Sequence, residues 1–357
     1  MPLREVPMSL NLRAPLGVMF CVGSLFSEVA LAAGFLPPQH YTVGKAPIAI
    51  VLADFNGDGK TDIATCNIKS HDVSILLGNG DGTFQASKTY RAAPDTRTST
   101  VDLVAGDFNE DGNLDLVVTI GDSVQMMASL LLGRGDGSFR VPQVFNTGAF
   151  AEPVVSADFN GDKHLDLFFA GSEGSSVLLG NGDGTFQPPV IYSTGAASRI
   201  TGVALADFNG DGNLDVAVAN EDDASIGILL GQGDGTFAPV KTLQVATFPF
   251  YIAAADYNHD EKTDLALSFA SFPTGGAIDI YLNNGDATFT LGSTCQVGTS
   301  ALYMAAADLD GDGNVDLAVG AFKTGSRQSG SVGVLYGVGD GRFEGPLFYS
   351  APPTWRR

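Results

Sequence analysis

Six times along this chain, a nine-residue segment places an oxygen-bearing side chain at its first, third, fifth and ninth positions. The copies read DFNGDGKTD from Asp54, DFNEDGNLD from Asp107, DFNGDKHLD from Asp158, DFNGDGNLD from Asp207, DYNHDEKTD from Asp256 and DLDGDGNVD from Asp308. Their starts lie 53, 51, 49, 49 and 52 residues apart. Such a period marks a repeat architecture, in which each unit is one supersecondary element that buries its apolar face by stacking on its neighbours. The fold must therefore present six near-identical loops at equivalent positions.

The spelling of the loop points to calcium as its ligand. Calcium is a hard cation that takes six to eight oxygens, and a tight loop can supply them from alternating side chains plus the carbonyl of its seventh residue. The expected ligands are Asp54, Asn56, Asp58 and Asp62 in the first loop (54–62), with the carbonyl of Lys60, and Asp107, Asn109, Asp111 and Asp115 in the second (107–115). They are Asp158, Asn160, Asp162 and Asp166 in the third (158–166), and Asp207, Asn209, Asp211 and Asp215 in the fourth (207–215). The fifth loop (256–264) offers Asp256, Asn258, Asp260 and Asp264, and the sixth (308–316) Asp308, Asp310, Asp312 and Asp316. Glycine at the sixth position, such as Gly59, permits the left-handed backbone that wraps the ion. Lys163 and Glu261 stand there in the third and fifth loops. A side chain in that conformation costs roughly 1 kcal/mol, so these two sites are expected to be the weaker ones. Asp, Asn and Gly also make ordinary polar turns, but six copies with every ligand position filled argue for a metal.

The charge balance agrees. The chain carries 19 basic and 40 acidic residues, a formal net charge of −21, and clustered carboxylates repel unless neutralised. Six divalent ions would bring that to about −9. An acidic chain without basic patches excludes nucleic acid as a partner, because phosphates demand Lys and Arg clusters.

Residues 1–33 read as a signal peptide. Arg4 and Arg13 precede an apolar run from Ala14 to Phe26, and Ala30-Leu31-Ala32 offers small residues for cleavage. The apolar run is shorter than the ~20 residues that span a bilayer. The mature chain is thus expected to be secreted, to the extracellular or periplasmic space or the cell surface, without membrane insertion after cleavage. Cys66 and Cys295 would survive processing; they fall at different points of different repeats and are expected to remain unpaired.

Within each unit the pattern is strand after strand. A short run of small apolar residues precedes each loop, as in Ala253-Ala254-Ala255 and Ala305-Ala306-Ala307, which suits strands crowded around a central axis. Strand-like runs such as Val216-Ala217-Val218 and Ile228-Leu229-Leu230 follow. A Gly-rich turn then ends in Phe84, Phe139, Phe186, Phe237, Phe289 or Phe343 and leads into a fourth strand. Four short strands per repeat describe an all-β fold, a β-propeller of four-stranded antiparallel blades with six complete repeats spanning residues 34–357.

The small-residue strand, the Asp-x-Asn-x-Asp-Gly-x-x-Asp loop and the Gly-rich turn ending in Phe together resemble the FG-GAP or VCBS repeat, the blade of the integrin alpha-chain N-terminal propeller and of many secreted bacterial proteins. That resemblance implies a calcium-binding propeller, with the ions held by the six loops. It leaves function open, because one propeller scaffold serves adhesion, carbohydrate binding and scaffolding. Arg134-Gly135-Asp136 spells an integrin ligand, yet other copies of that turn carry Asn, Gln or Val before Gly-Asp, so the Arg fills a variable slot. No Ser-His-Asp or metal-His cluster can be assembled from His40, His71, His164 and His259 by local spacing.

The expected function is a binding or adhesion module for an extracellular glycan or surface protein, rather than an enzyme. The runner-up is a propeller-based polysaccharide lyase or hydrolase, for which Arg97, Arg199, Lys323 and Arg327 are scattered candidates. The calcium loops and Gly-rich turns belong on one face. Recognition would use the connections on the other face, with Phe150, Phe248, Phe250, Tyr251, Phe272, Tyr303 and Phe322 as candidate ring surfaces.

Strand counting adds one expectation. The outer-strand pattern occurs seven times, because Phe35 to Tyr41 matches Phe186 to Tyr192, while strands one to three occur six times. The pattern reads as a seven-bladed design lacking three strands; pairing of 35–43 with Gly333 to Tyr336 would instead close a six-fold ring.

Overall fold

In the computed structural model the chain is described over residues 13–15, 39–92, 99–121, 126–150, 153–171, 174–195, 199–269, 275–298, 300–322 and 330–350. Six antiparallel sheets follow one another, each with its strands in chain order from the axis outwards. In the fourth blade these are Ile200–Ala206, Asp215–Asn220, Ser225–Leu229 and Lys241–Gln244. Burial explains the order: Asp215–Asn220 is buried at every residue, whereas Lys241–Gln244 is almost wholly exposed. A strand sandwiched between neighbouring blades reads as a continuous apolar run, and one on the rim does not. The small residues of the innermost strands line an axial cavity of about 280 Å³, with Val51, Val104, Val155, Val203, Ala253 and Met304 contributed one per blade. Among the described residues no helix is long and apolar enough to cross a membrane.

Among the described residues the apolar core is divided into five clusters, and each straddles two consecutive blades. Ring contacts mark the same joints. The aromatic residue at the second loop position meets the turn phenylalanine of the next blade edge-on: Phe55 with Phe139 at 5.9 Å, Phe108 with Phe186 at 5.9 Å, Phe159 with Phe237 at 5.6 Å, Phe208 with Phe289 at 5.8 Å and Tyr257 with Phe343 at 5.8 Å. Edge-to-face pairs at these separations add stability beyond burial alone. A backbone bond accompanies each pair. The loop carbonyl accepts from the turn N–H of the next blade, as from Gly137 to Phe55 at 3.1 Å and from Gly341 to Tyr257 at 2.9 Å.

Strand Phe343–Ser350 pairs with Gly330–Gly337, Phe348 lying opposite Gly333, so the sixth blade has its own outer strand. Pairing of 35–43 with Gly333 to Tyr336 is therefore not observed. Residues 35–38 lie outside the described residues. Tyr41 docks on Phe84 of the first blade at 5.4 Å, and its hydroxyl accepts from the Phe84 N–H at 3.0 Å. Tyr90 meets Phe139, and Tyr192 meets Phe237, at the same 5.4 Å. Tyr41 thus takes the place of an outer-strand tyrosine from a preceding blade.

Of the expected targeting segment 1–33, only Arg13–Pro15 is described; it adds to the axial edge of Pro47–Ala53, with Ala14 opposite Ile50. Cys66 and Cys295 are free, as expected.

Candidate metal-binding loops

Strand register fixes the ends of each loop. The residue before the first Asp pairs across the sheet with the ninth-position Asp: Ala53 with Asp62, Gly106 with Asp115, Ala157 with Asp166, Ala206 with Asp215, Ala255 with Asp264 and Ala307 with Asp316. Eight residues must then turn between two paired positions, and the backbone is left-handed at two of them. Gly59 and Gly212 take it at the sixth position, as expected, and Lys163 (φ 75°) and Glu261 (φ 66°) take it despite their side chains. The fourth position is left-handed as well, which the motif did not disclose. Gly57, Gly161, Gly210 and Gly311 occupy it in four loops, but Glu110 (φ 56°) and His259 (φ 59°) occupy it in the second and fifth. The fifth loop therefore carries two strained side chains, and the second one more than its sequence suggested.

Backbone amides aim the side chains inward. In the first loop Asp54 accepts from the N–H of Gly57 at 2.8 Å and of Gly59 at 2.7 Å, Asn56 from Asp58 at 3.0 Å and Asp58 from Lys60 at 2.9 Å. The fourth loop repeats the pattern with Asp207, Asn209 and Asp211. There the N–H of Asn213 and the side chain of Asn209 hold Asp211 below the usual carboxylate range. Lys60 and Lys262 reach the outer oxygens of Asp58 and Asp260, each at 3.2 Å. Across neighbouring loops His164 meets Glu110, and His259 meets Asn314 at 2.8 Å.

The ninth residue differs from the other three residues expected to bind the ion. All six copies, Asp62, Asp115, Asp166, Asp215, Asp264 and Asp316, are wholly buried. One oxygen accepts from the N–H of the second loop residue, and the other from the N–H that opens the Gly-rich turn; for Asp215 these are Phe208 at 2.9 Å and Gly231 at 2.8 Å. The carboxylate thus locks loop to turn. The turn must approach closely: a Cβ on Gly78, Gly133 or Gly231 would lie 2.2 Å from the carbonyl of the eighth loop residue. Asn283 replaces that glycine in the fifth blade, and its side-chain amide instead donates to the same carbonyl, of Thr263, at 3.0 Å.

Burial pushes Asp115, Asp166 and Asp264 up to about 6; the neighbouring first- and fifth-position carboxylates add to the shift, against the opposing pull of their amide donors. An unfolded aspartate titrates near 3.9. In protein freed of divalent ions, the stability these three groups contribute is full below about pH 4 and lost as pH rises through about 6. The melting temperature of the ion-free protein is therefore expected to rise between pH 7.5 and pH 5, as read by differential scanning calorimetry.

In the sixth loop, ligand oxygens of Asp308, Asp310 and Asp316 all lie within 4.8 Å of one another. Two oxygens each about 2.4 Å from one calcium ion are at most about 4.8 Å apart, so this donor set fits a single ion. The turn carrying Arg134-Gly135-Asp136 is a closed structural element, in which Asp136 accepts from the Ser138 hydroxyl and N–H.

The model of the FG-GAP-like repeat matches residues 54–118, 158–218, 207–267 and 268–319. The chain belongs to the FG-GAP-like repeat family. Integrin likeness goes no further than this shared repeat. Among curated relatives, cartilage acidic protein 1 of Mus musculus is 24% identical over 144 residues, 40% of this chain and 21% of that protein. Its Xenopus tropicalis counterpart is 26% identical over 147 residues, 41% and 22%. The chain thus spans only part of these relatives' length. Among solved structures, an Agrocybe aegerita lectin that recognises non-reducing terminal N-acetylglucosamine is similar with a TM-score of 0.57 at 21% identity, over 85% of this chain and 80% of that one. A Lactobacillus plantarum protein is similar with a TM-score of 0.56 at 9% identity, over 96% of each chain. At such identities the likeness is one of fold.

Opposite the loops of the FG-GAP-like blades, the connections singled out by sequence are only partly described; residues 93–98, 122–125, 151–152, 270–274 and 323–329, with Arg97, Phe272, Lys323 and Arg327, lie outside the described residues. Phe250 and Tyr251 both pack edge-on against Tyr303, at 5.3 and 5.8 Å, and Tyr251 is buried. Phe248 is 59% exposed.

Proposed function

We propose that this FG-GAP-like propeller is an exported calcium-binding module that binds a glycan or a surface protein without turning it over. The observation that carries the reading is the ring of amide-aimed acidic loops, each ending on a buried carboxylate; at Asp115, Asp166 and Asp264 burial, with repulsion from the neighbouring carboxylates added, pushes that group up to about 6. A divalent cation would relieve that repulsion, held by the four side chains of each loop and the seventh-residue carbonyl. Calcium would then act as a structural ion on one face. The opposite face, with exposed Phe248 at its edge, would carry recognition, since rings with a free face suit sugars and peptides. The N-acetylglucosamine-binding lectin of the same fold favours a glycan over a protein as the first class to test.

A glycan array probed with and without calcium tests this reading. Binding to a defined glycan class, weakened by Phe248→Ala at unchanged melting temperature, is expected. Turnover of a polysaccharide by purified protein, abolished by one substitution on that face, would establish the enzymatic alternative instead.

A further inference from the structure

Six Asn-Gly pairs occur in this chain: Asn56, Asn160 and Asn209 precede glycine in the metal loops, and Asn79, Asn181 and Asn284 in the Gly-rich turns. Before glycine, the carbonyl carbon of an asparagine side chain is open to attack by the next backbone nitrogen, because no Cβ obstructs the approach. The hydrogen bond on that nitrogen separates the six pairs. In the loops the glycine N–H is held by the first-position aspartate: Gly57 by Asp54 at 2.8 Å, Gly161 by Asp158 at 2.7 Å and Gly210 by Asp207 at 2.7 Å. In the fifth turn the Gly285 N–H donates to the Asn283 side-chain carbonyl at 2.8 Å. That carbonyl has a fixed direction, because the amide group of the same side chain donates to the Phe208 and Thr263 carbonyls at 2.8 and 3.0 Å. Glycine stands in place of Asn283 in the first and third turns, as Gly78 and Gly180. Among the described residues the Gly80 and Gly182 N–H groups have no acceptor.

The three turns are otherwise built alike. Asn79, Asn181 and Asn284 are all exposed. Their side-chain amides donate to the hydroxyls of Thr83, Thr185 and Thr288 at 2.8 to 2.9 Å. Those hydroxyls donate in turn to Asp81, Asp183 and Asp286 at 2.5 to 2.6 Å. Gly182 and Gly285 are equally half-buried. The lock on Gly285 is thus the difference between the fifth turn and the third.

We infer that Asn79 and Asn181 are sites of spontaneous deamidation, with water as the co-reactant, and that the other four Asn-Gly pairs are protected by the bond on the attacking nitrogen. The Gly80 or Gly182 nitrogen gives its proton to hydroxide and bonds to the asparagine Cγ. The bond from Cγ to Nδ2 then breaks, and the nitrogen leaves as ammonia after taking a proton from water. Water opens the resulting succinimide at either carbonyl, giving aspartate or isoaspartate. Either product adds a negative charge to the face that carries the acidic loops, and isoaspartate also lengthens the main chain of the hairpin. A nitrogen whose N–H is already bonded to oxygen must break that bond before it can attack, which raises the barrier.

Peptide mapping by mass spectrometry tests the inference on the full chain, kept folded in millimolar calcium at mildly alkaline pH in heavy-oxygen water. Asn79 and Asn181 are expected to gain the label at least about 5-fold faster than Asn284 and the three loop asparagines. Asn283→Gly removes the lock and should bring Asn284 to the rate of Asn181 in the same molecules. Absence of label at either Asn79 or Asn181, an Asn284 or a loop asparagine that keeps pace with Asn181 in the wild type, or an Asn284 that stays slow in Asn283→Gly would each overturn it.

Discussion

Chelation by excess EGTA is expected to lower the melting temperature of this protein more than any single substitution. If each loop behaves as an extracellular site with a dissociation constant of about 0.1 to 1 mM, an ion at ten times that value stabilises the folded state by roughly 1.4 kcal/mol per site. Six loops would then contribute about 8 kcal/mol, comparable to the whole stability of a typical domain. Withdrawal also restores repulsion among carboxylates in a chain of formal net charge −21. Thermal melts at neutral pH, with millimolar calcium and with EGTA, measure the difference; superimposable curves would remove calcium from the account.

Asp215→Ala is expected to be the most damaging single change in the loops, costing about 3 to 5 kcal/mol in the presence of calcium. The substitution strands the N–H groups of Phe208 and Gly231, both bonded to this carboxylate. Each buried donor left without a partner costs about 1 to 3 kcal/mol. Under the proposed calcium reading, the fourth loop would lose a ligand as well. Part of the loss is offset, because burial raises the pKa of Asp215 and its removal relieves that desolvation. Asp222→Ala, at an exposed aspartate, is the control and should stay within about 0.5 kcal/mol of the wild type. Urea midpoints at fixed calcium compare the two; equal midpoints would show that the ninth residue does not hold loop to turn.

Much of this architecture was legible because the repeat states its own geometry six times over. The small residues of the inner strands, the nine-residue loops and the turn phenylalanines all fall where their spacing put them. The sixth-position strain at Lys163 and Glu261 was legible too, since glycine marks that position in the other copies. The matching strain at Glu110 and His259 was not, because the fourth position varies and only the backbone shows it to be left-handed. The double role of the ninth Asp was hidden for a different reason: its second amide donor comes from a turn 14 to 21 residues further on. Phe250 and Tyr251 looked like recognition surfaces from their place in a connection, but they pack against Tyr303 of the next blade. The strand count raised the question of closure, and among the described residues the joint between Leu309 and Gly82 lacks the bond that the other five make.

Direct counting of bound ions is the sharpest test of the central claim that the six loops are calcium sites. Equilibrium dialysis of the chelator-treated protein against calcium, with the metal measured by atomic emission, should saturate at about six ions per chain in the millimolar range. Asp211→Ala should remove one ion, and Asp260→Ala should change the tightest-binding class least, because its loop carries strained His259 and Glu261. Saturation at no ion or one, unchanged by Asp211→Ala, would contradict the account.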